Sequence, residues 1–138
     1  MDNKEARVLL VDDVSAILEE LLTFMDIHHI PAIGVADLDQ AMQALIDNPA
    51  IDVLACDVRL GRESGLSIID RIEQSPDLRA RPFQYLFISG DPLSRDPSLP
   101  MPEHHVLTKP VRPQVLIAML RNMMGETEEP AAQAAPLP

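Results

Sequence analysis

The sequence predicts an α/β protein whose parallel sheet is covered by helices on both faces. Two observations predict it. Short runs of Val, Ile, Leu and Ala alternate along the chain with longer stretches whose apolar residues recur at helical spacing. Three chemically loaded segments, Val11-Asp12-Asp13, Cys56-Asp57 and Thr108-Lys109-Pro110, stand directly after such short runs or at their ends. Strands that alternate with helices build βαβ units, and right-handed crossovers bring their carboxyl ends to one edge.

The elements follow in order. Arg7–Val11 reads as a first strand. Ser15 to His29 carries Ile17, Leu18, Leu21, Leu22 and Met25 on one helical stripe, with Asp13 or a neighbour as cap and Pro31 as its stop. Ala32–Val35 is a second strand, and Asp37 opens a helix with Leu38, Ala41, Met42, Leu45 and Ile46 on one face. Asn48-Pro49 ends that helix, and Asp52–Cys56 is a third strand. Arg59 to Gly65 is a loop, followed by a helix with Leu66, Ile69 and Ile72. Tyr85–Ile88 and Val106–Leu107 are the fourth and fifth strands. A last helix starts near Pro113, a residue suited to a first turn, and carries Val115, Leu116, Met119, Leu120, Met123 and Met124. Between strands four and five, Pro92, Pro97, Pro100 and Pro102 oppose a regular helix, so a loop with at most one turn near Leu93–Asp96 is expected.

A chain of 138 residues fits one domain with a real core. Residues 1–125 are assigned to it, and the Ala- and Pro-rich segment 126–138 to a flexible tail or linker. Only 3% of residues are aromatic, so aliphatic side chains must fill the interior. A net charge of −11 speaks against nucleic acid and against an anionic membrane surface. The single Cys56 forms no internal disulfide and suits a reducing compartment, and the first residues carry no leader-like apolar run. A cytoplasmic location is expected.

If the first and third strands are neighbours, Asp12, Asp13 and Asp57 converge, with Lys109 beside them. Carboxylates that close repel strongly unless a cation lies among them. The cluster therefore points to a divalent-metal site with a reactive aspartate, and so to phosphoryl chemistry. Taken singly the signals are bland: Asp-Asp caps helices, and Lys-Pro and Ser-Gly make turns. His28-His29 and His104-His105 read as surface residues, and Cys56 as an inert core thiol.

Together, Val-Asp-Asp after strand one, Asp57 ending strand three, Ser89-Gly90 ending strand four and Lys109-Pro110 after strand five resemble the receiver domain of two-component response regulators, of the chemotaxis-regulator kind. The resemblance covers about residues 5–125. It implies a flavodoxin-like, doubly wound five-stranded parallel sheet of order 2-1-3-4-5, with the helix between strands four and five shortened or replaced by the Pro-rich loop. It implies that Asp57 accepts a phosphoryl group from a histidine kinase or a histidine phosphotransfer protein. Mg²⁺ would be held by Asp13, Asp57, the Arg59 carbonyl and, through water, Asp12. Ser89 and Lys109 would contact phosphoryl oxygens, a cis bond would precede Pro110, and Gly65 would start the third helix.

Three departures stand out. Gly61 occupies a position where the family often has proline, Val106 one where it usually has Tyr or Phe, and the proline-rich stretch falls on a usual output face. Arg59 and Asp91 flank the expected path of attacking water, so an ion pair across the mouth and slow self-dephosphorylation are expected. With no DNA-binding motif after Gly125, output is expected through protein contacts. The alternatives are a phosphorylation-independent adaptor with the same fold and, from another class, a haloacid-dehalogenase-type phosphatase. The phosphatase wants Asp-x-Asp where this chain has Asp12-Asp13-Val14, and a cap domain that it lacks.

Overall fold

A computed structural model describes residues 5–90 and 104–125. Its strands, in chain order, are β1 (Val8–Val11), β2 (Ala32–Val35), β3 (Val53–Asp57), the two-residue pair β4 (Arg59–Leu60) and β5 (Glu63–Ser64), β6 (Gln84–Ser89) and β7 (His104–Thr108). Four helices are described: α1 (Ser15–Ile27), α2 (Leu38–Asp47), α3 (Ser67–Glu73) and α4 (Pro113–Met123). The five long strands form one parallel sheet of order β2-β1-β3-β6-β7, the order expected.

Alternation across the sheet divides the core in two, because successive side chains on a strand face opposite sides. Leu9, Val11, Leu54, Cys56, Tyr85 and Phe87 pack with α2 and α3, in a cluster with Leu38, Ala41, Leu45, Ile68, Ile69 and Ile72. Val8, Leu10, Val53, Ala55 and Leu86 pack with α1 and α4, with Leu21, Met25, Leu116, Ile117 and Leu120. Strand β3 is buried along its whole length, the signature of a central parallel strand covered on both faces. Each large aliphatic side chain buried there contributes about 1.5–3 kcal/mol.

Register then positions the chemistry. Val11 pairs with Cys56, so Asp12 lies beside Asp57. Ser89 pairs with Thr108, so Lys109 follows at the same edge.

Local signals set the helix ends. Asp37 caps α2 as expected, its Oδ1 accepting from the Gln40 N–H at 2.8 Å, while Gln40 Oε1 accepts from the Ala36 N–H. Arg81 closes the other end of α2, donating to the carbonyls of Leu45, Asn48, Pro49 and Ile51. Those include carbonyls that a helix end leaves without partners.

Several expectations need correction. The cap expected at Asp13 or a neighbour falls on the neighbour Val14, without a side-chain bond of its own, and the Asp12 carboxylate accepts the Val14 N–H. Pro31 does not stop α1, which ends at Ile27 in a Schellman turn. The Ile30 N–H reaches the Met25 carbonyl, the His29 N–H reaches the Asp26 carbonyl, and His29 has φ of 63°. Gly65 stands just ahead of α3, which is capped by Leu66 and begins at Ser67, and its carbonyl accepts the Ile68 N–H. Ile17, Ile46 and Val115 were placed on buried stripes, and each lies exposed at its helix's flank. The Arg59–Gly65 loop contains the β4–β5 hairpin. The expected loop between strands four and five, including Leu93–Asp96, and the tail 126–138 lie outside the described residues.

His29 is the one non-glycine residue with positive φ among those described. A left-handed conformation costs an L-residue roughly 1–2 kcal/mol, and glycine returns roughly 0.4–1 kcal/mol of that as unfolded-chain entropy. His29→Gly is therefore expected to stabilise the protein by about 0.5–1 kcal/mol in urea unfolding. An unchanged or lower midpoint would show that the imidazole contributes contacts of its own.

Candidate functional site

The carboxyl edge of the sheet gathers the residues named from sequence. Asp12 and Asp57 are 4% and 3% exposed, Asp13 is exposed, and one carboxylate oxygen from each lies within 4.8 Å of the others. Among the described residues this is the group of acids placed to hold a metal ion. Lys109 Nζ is 3.0 Å from Asp57 Oδ2, and the Arg59 N–H donates to Asp57 Oδ1 at 3.3 Å. Both oxygens of the Asp57 carboxylate are thus oriented. The Lys109-Pro110 bond is cis, and the Lys109 N–H donates to the Ser89 carbonyl at 2.8 Å, which ties the two edge loops together.

Asp57, Val58, Arg59, Ser89, Gly90 and Lys109 line a cavity of about 270 Å³. Ser89 is buried in its wall. Among the described residues, a Cβ on Gly90 would meet nothing within 4 Å. A larger cleft, about 700 Å³, lies near the amino ends of β1 and β2 and includes Glu5, Asp26 and His29. It touches none of the clustered acids.

The electrostatics of the acids suit a bound positive charge. Burial first, then repulsion from Asp57 and Asp13, pushes the Asp12 carboxyl above its ordinary value, against the bond from Val14 and the attraction of Lys109. The donors are all oxygens, which suits a hard cation such as Mg²⁺ or Ca²⁺. One lysine against three carboxylates leaves room for a divalent ion.

Cys56 lies beneath the site with no exposed surface. Burial, with Asp57 and Asp12 nearby, pushes its thiol up to about 12. Its Sγ lies 3.4 Å from the Asp57 carbonyl. The folded protein is expected to give no reaction with a thiol reagent at pH 8 over an hour, and one equivalent after denaturation. Rapid reaction of the native protein would contradict the packing.

Two features escaped the sequence. The hairpin brings the Gly61 N–H to 2.9 Å from Asp13 Oδ2, 48 positions away. Gly65 packs its backbone against that of Asp57. Glycine at both positions was the available signal. The expected Arg59–Asp91 pair has one member, Asp91, outside the described residues. Val106 is 38% exposed on β7 opposite Phe87. His105 is exposed, whereas His104 and His28 are half-buried: His104 sits edge-on to Phe87 at 5.8 Å, and His28 lies 4.6 Å from the Phe24 ring. These two histidines remain partly exposed and also pack against aromatic rings.

No helix among the described residues is long and apolar enough to cross a membrane. The comparisons with known proteins agree with the geometry. The regulatory protein VirG of Agrobacterium tumefaciens is 35% identical over 86 residues, which is 62% of this chain and 30% of that protein. VirG of Rhizobium rhizogenes is 31% identical over the same length. This chain thus spans about a third of the curated relatives it matches. Among solved structures, a two-component response regulator from Clostridium difficile superposes with a TM-score of 0.70 at 14% identity, over 91% of this chain and all of the other. A CheY-like receiver domain from Methylobacillus flagellatus gives 0.67 at 19%, over 87% and 99%. At these identities the likeness speaks for the fold, which is the flavodoxin-like fold expected. The model of the response regulator receiver domain matches residues 8–121, and the chain belongs to that family.

Proposed function

We propose that residues 1–125 form a phosphoaccepting receiver, in which Asp57 takes a phosphoryl group from a phosphohistidine of a histidine kinase or histidine phosphotransfer protein. The observation that carries this reading is the convergence of Asp12, Asp13 and Asp57 within 4.8 Å, with Lys109 3.0 Å from the acceptor at the mouth of one cavity. An Asp57 oxygen attacks phosphorus. An O–P bond forms as the N–P bond breaks, and the electron pair leaves on the donor imidazole.

Asp13, the Asp57 carboxylate and the Arg59 carbonyl would hold Mg²⁺, with Asp12 acting through water. The ion supplies charge neutralisation at the phosphoryl oxygens. Lys109 exchanges its contact with Asp57 for a phosphoryl oxygen, and the Ser89 hydroxyl donates to another. Fixed charges and donors aimed at the transferring group are most of what this reaction requires. The phosphorylated state is read by a protein partner. The fold is that of signalling domains, and the chain's chemistry is its own phosphorylation and slow loss of that group.

The test is labelling by a small-molecule phosphodonor, followed by intact mass. One phosphoryl group is expected with Mg²⁺, and none with chelator or in Asp57→Ala. Absence of labelling in the wild-type chain would favour a phosphorylation-independent adaptor.

A further inference from the structure

The β4–β5 hairpin that follows the acceptor is fastened at its tip to one of the acids. Its loop is two residues, Gly61-Arg62, between the pairs Arg59–Ser64 and Leu60–Glu63. Gly61 has φ of +59°, and Arg62 is not among the positive-φ residues, the pattern of a II′ turn with glycine first. The hairpin is braced elsewhere. The Gly65 N–H donates to the Val58 carbonyl at 2.6 Å, and Leu60 is 4% exposed in the core. Glu63 Oε2 lies 3.5 Å from Arg71 Nη2, while Arg71 Nη1 bonds Asp39 at 2.7 Å. A braced turn therefore delivers the Gly61 N–H to Asp13 Oδ2 at 2.9 Å.

Asp13 is the exposed member of the three acids, and so the one with the most side-chain freedom to lose on binding an ion. We propose that Gly61 is a positioning residue for the cation site: its N–H anchors Asp13 Oδ2 and leaves the other carboxylate oxygen set for a divalent cation. Proline at this position has no N–H to give, and an L-residue at this φ is strained. Space is not the constraint, since among the described residues a Cβ on Gly61 would meet only Asp13 Oδ2, at 3.9 Å. Residue 61 then sets cation affinity without touching the ion. A donor that orients a ligand is worth about tenfold or more in metal affinity. The inference rests on the cation reading of the proposed function.

The experiment is calorimetric titration of the full chain with MgCl₂. Gly61→Pro is expected to weaken binding about tenfold, whereas Gly61→Asn, which keeps the N–H and tolerates positive φ, stays within about twofold of wild type. Equal affinities for wild type and a folded Gly61→Pro overturn the positioning role. Equal weakening in the proline and asparagine variants overturns it too, since the N–H would then not be what matters. If Gly61→Pro does not fold, amide exchange in the wild-type chain decides. Slow exchange at Gly61, slowed further by MgCl₂, supports the role, and exchange at the free-peptide rate overturns it. Failure of the wild-type chain to bind Mg²⁺ at all would instead remove the cation reading itself.

Discussion

Gly65→Ala is expected to cost the protein about 3 kcal/mol of stability, the upper range for overpacking a tight interior. A Cβ at residue 65 would stand 2.0 Å from the Asp57 carbonyl oxygen, 2.8 Å from Cys56 Sγ and 3.0 Å from the Asp57 carbonyl carbon. Two of those three atoms are backbone of the acceptor residue, so a rotamer change cannot relieve the clash. The φ of Gly65 is not positive, and the demand is therefore one of space. Moving residue 65 away would break its bond to the Val58 carbonyl and pull on Leu66 and α3. Moving Asp57 would displace a carboxylate now held by Lys109 and the Arg59 N–H. A shift near 1 Å at a reacting atom costs on the order of 10²-fold in rate. Thermal unfolding should fall by about 10 °C, and labelling of Asp57 should slow by a larger factor than labelling in a surface variant of equal stability. A Gly65→Ala protein with wild-type melting and labelling would refute this account of the packing.

Asp12→Asn is expected to act in the opposite direction on stability, raising it by about 2 kcal/mol without divalent cation. Two carboxylates near 5 Å apart repel by about 3 kcal/mol at an effective dielectric of 20, and Lys109 offsets part of that. Asparagine keeps an oxygen for the Val14 N–H while discarding the charge. The pH dependence follows from the sign of the shift. The Asp12 carboxyl is raised from 3.8, so the native state binds its proton more tightly than the unfolded chain. That contribution to stability is present at pH below 3.8 and is lost as pH rises through the higher folded value. The gap between variant and wild type should thus open with rising pH above about 4 and persist at neutrality. Millimolar Mg²⁺ should close it, because a ligand that binds only the native state adds RT ln(1 + [L]/Kd), more for wild type than for the variant. Urea unfolding of both proteins across pH, with and without Mg²⁺, checks each arm. A variant less stable than wild type at pH 7 in chelator would show that Asp12 carries no uncompensated charge.

Much of this was legible in advance because period-2 and period-3.6 patterns report burial directly. Arg7–Val11 and Asp52–Cys56 read as strands because both faces of a central parallel strand are apolar. Helix ends were less legible. Pro31 looked like the stop of α1, yet His29 reversed the chain earlier, since a left-handed histidine carries no compositional mark. Ile17, Ile46 and Val115 looked buried, because a stripe inferred from spacing is wider than the strip a sheet covers.

The sequence by itself determined the five strands of the parallel sheet, their alternation with helices, and which acids, serine and lysine stand at strand ends. Those depend on local pattern, and a parallel sheet converts them into one edge. Only the tertiary structure decided what reaches across the chain: Gly61 on Asp13, Gly65 against Asp57, Arg81 over the end of α2. Each is a contact through a backbone atom. Backbone N–H and C=O groups are the same in nearly every residue, so composition cannot reveal which one a side chain will meet until the fold brings them together.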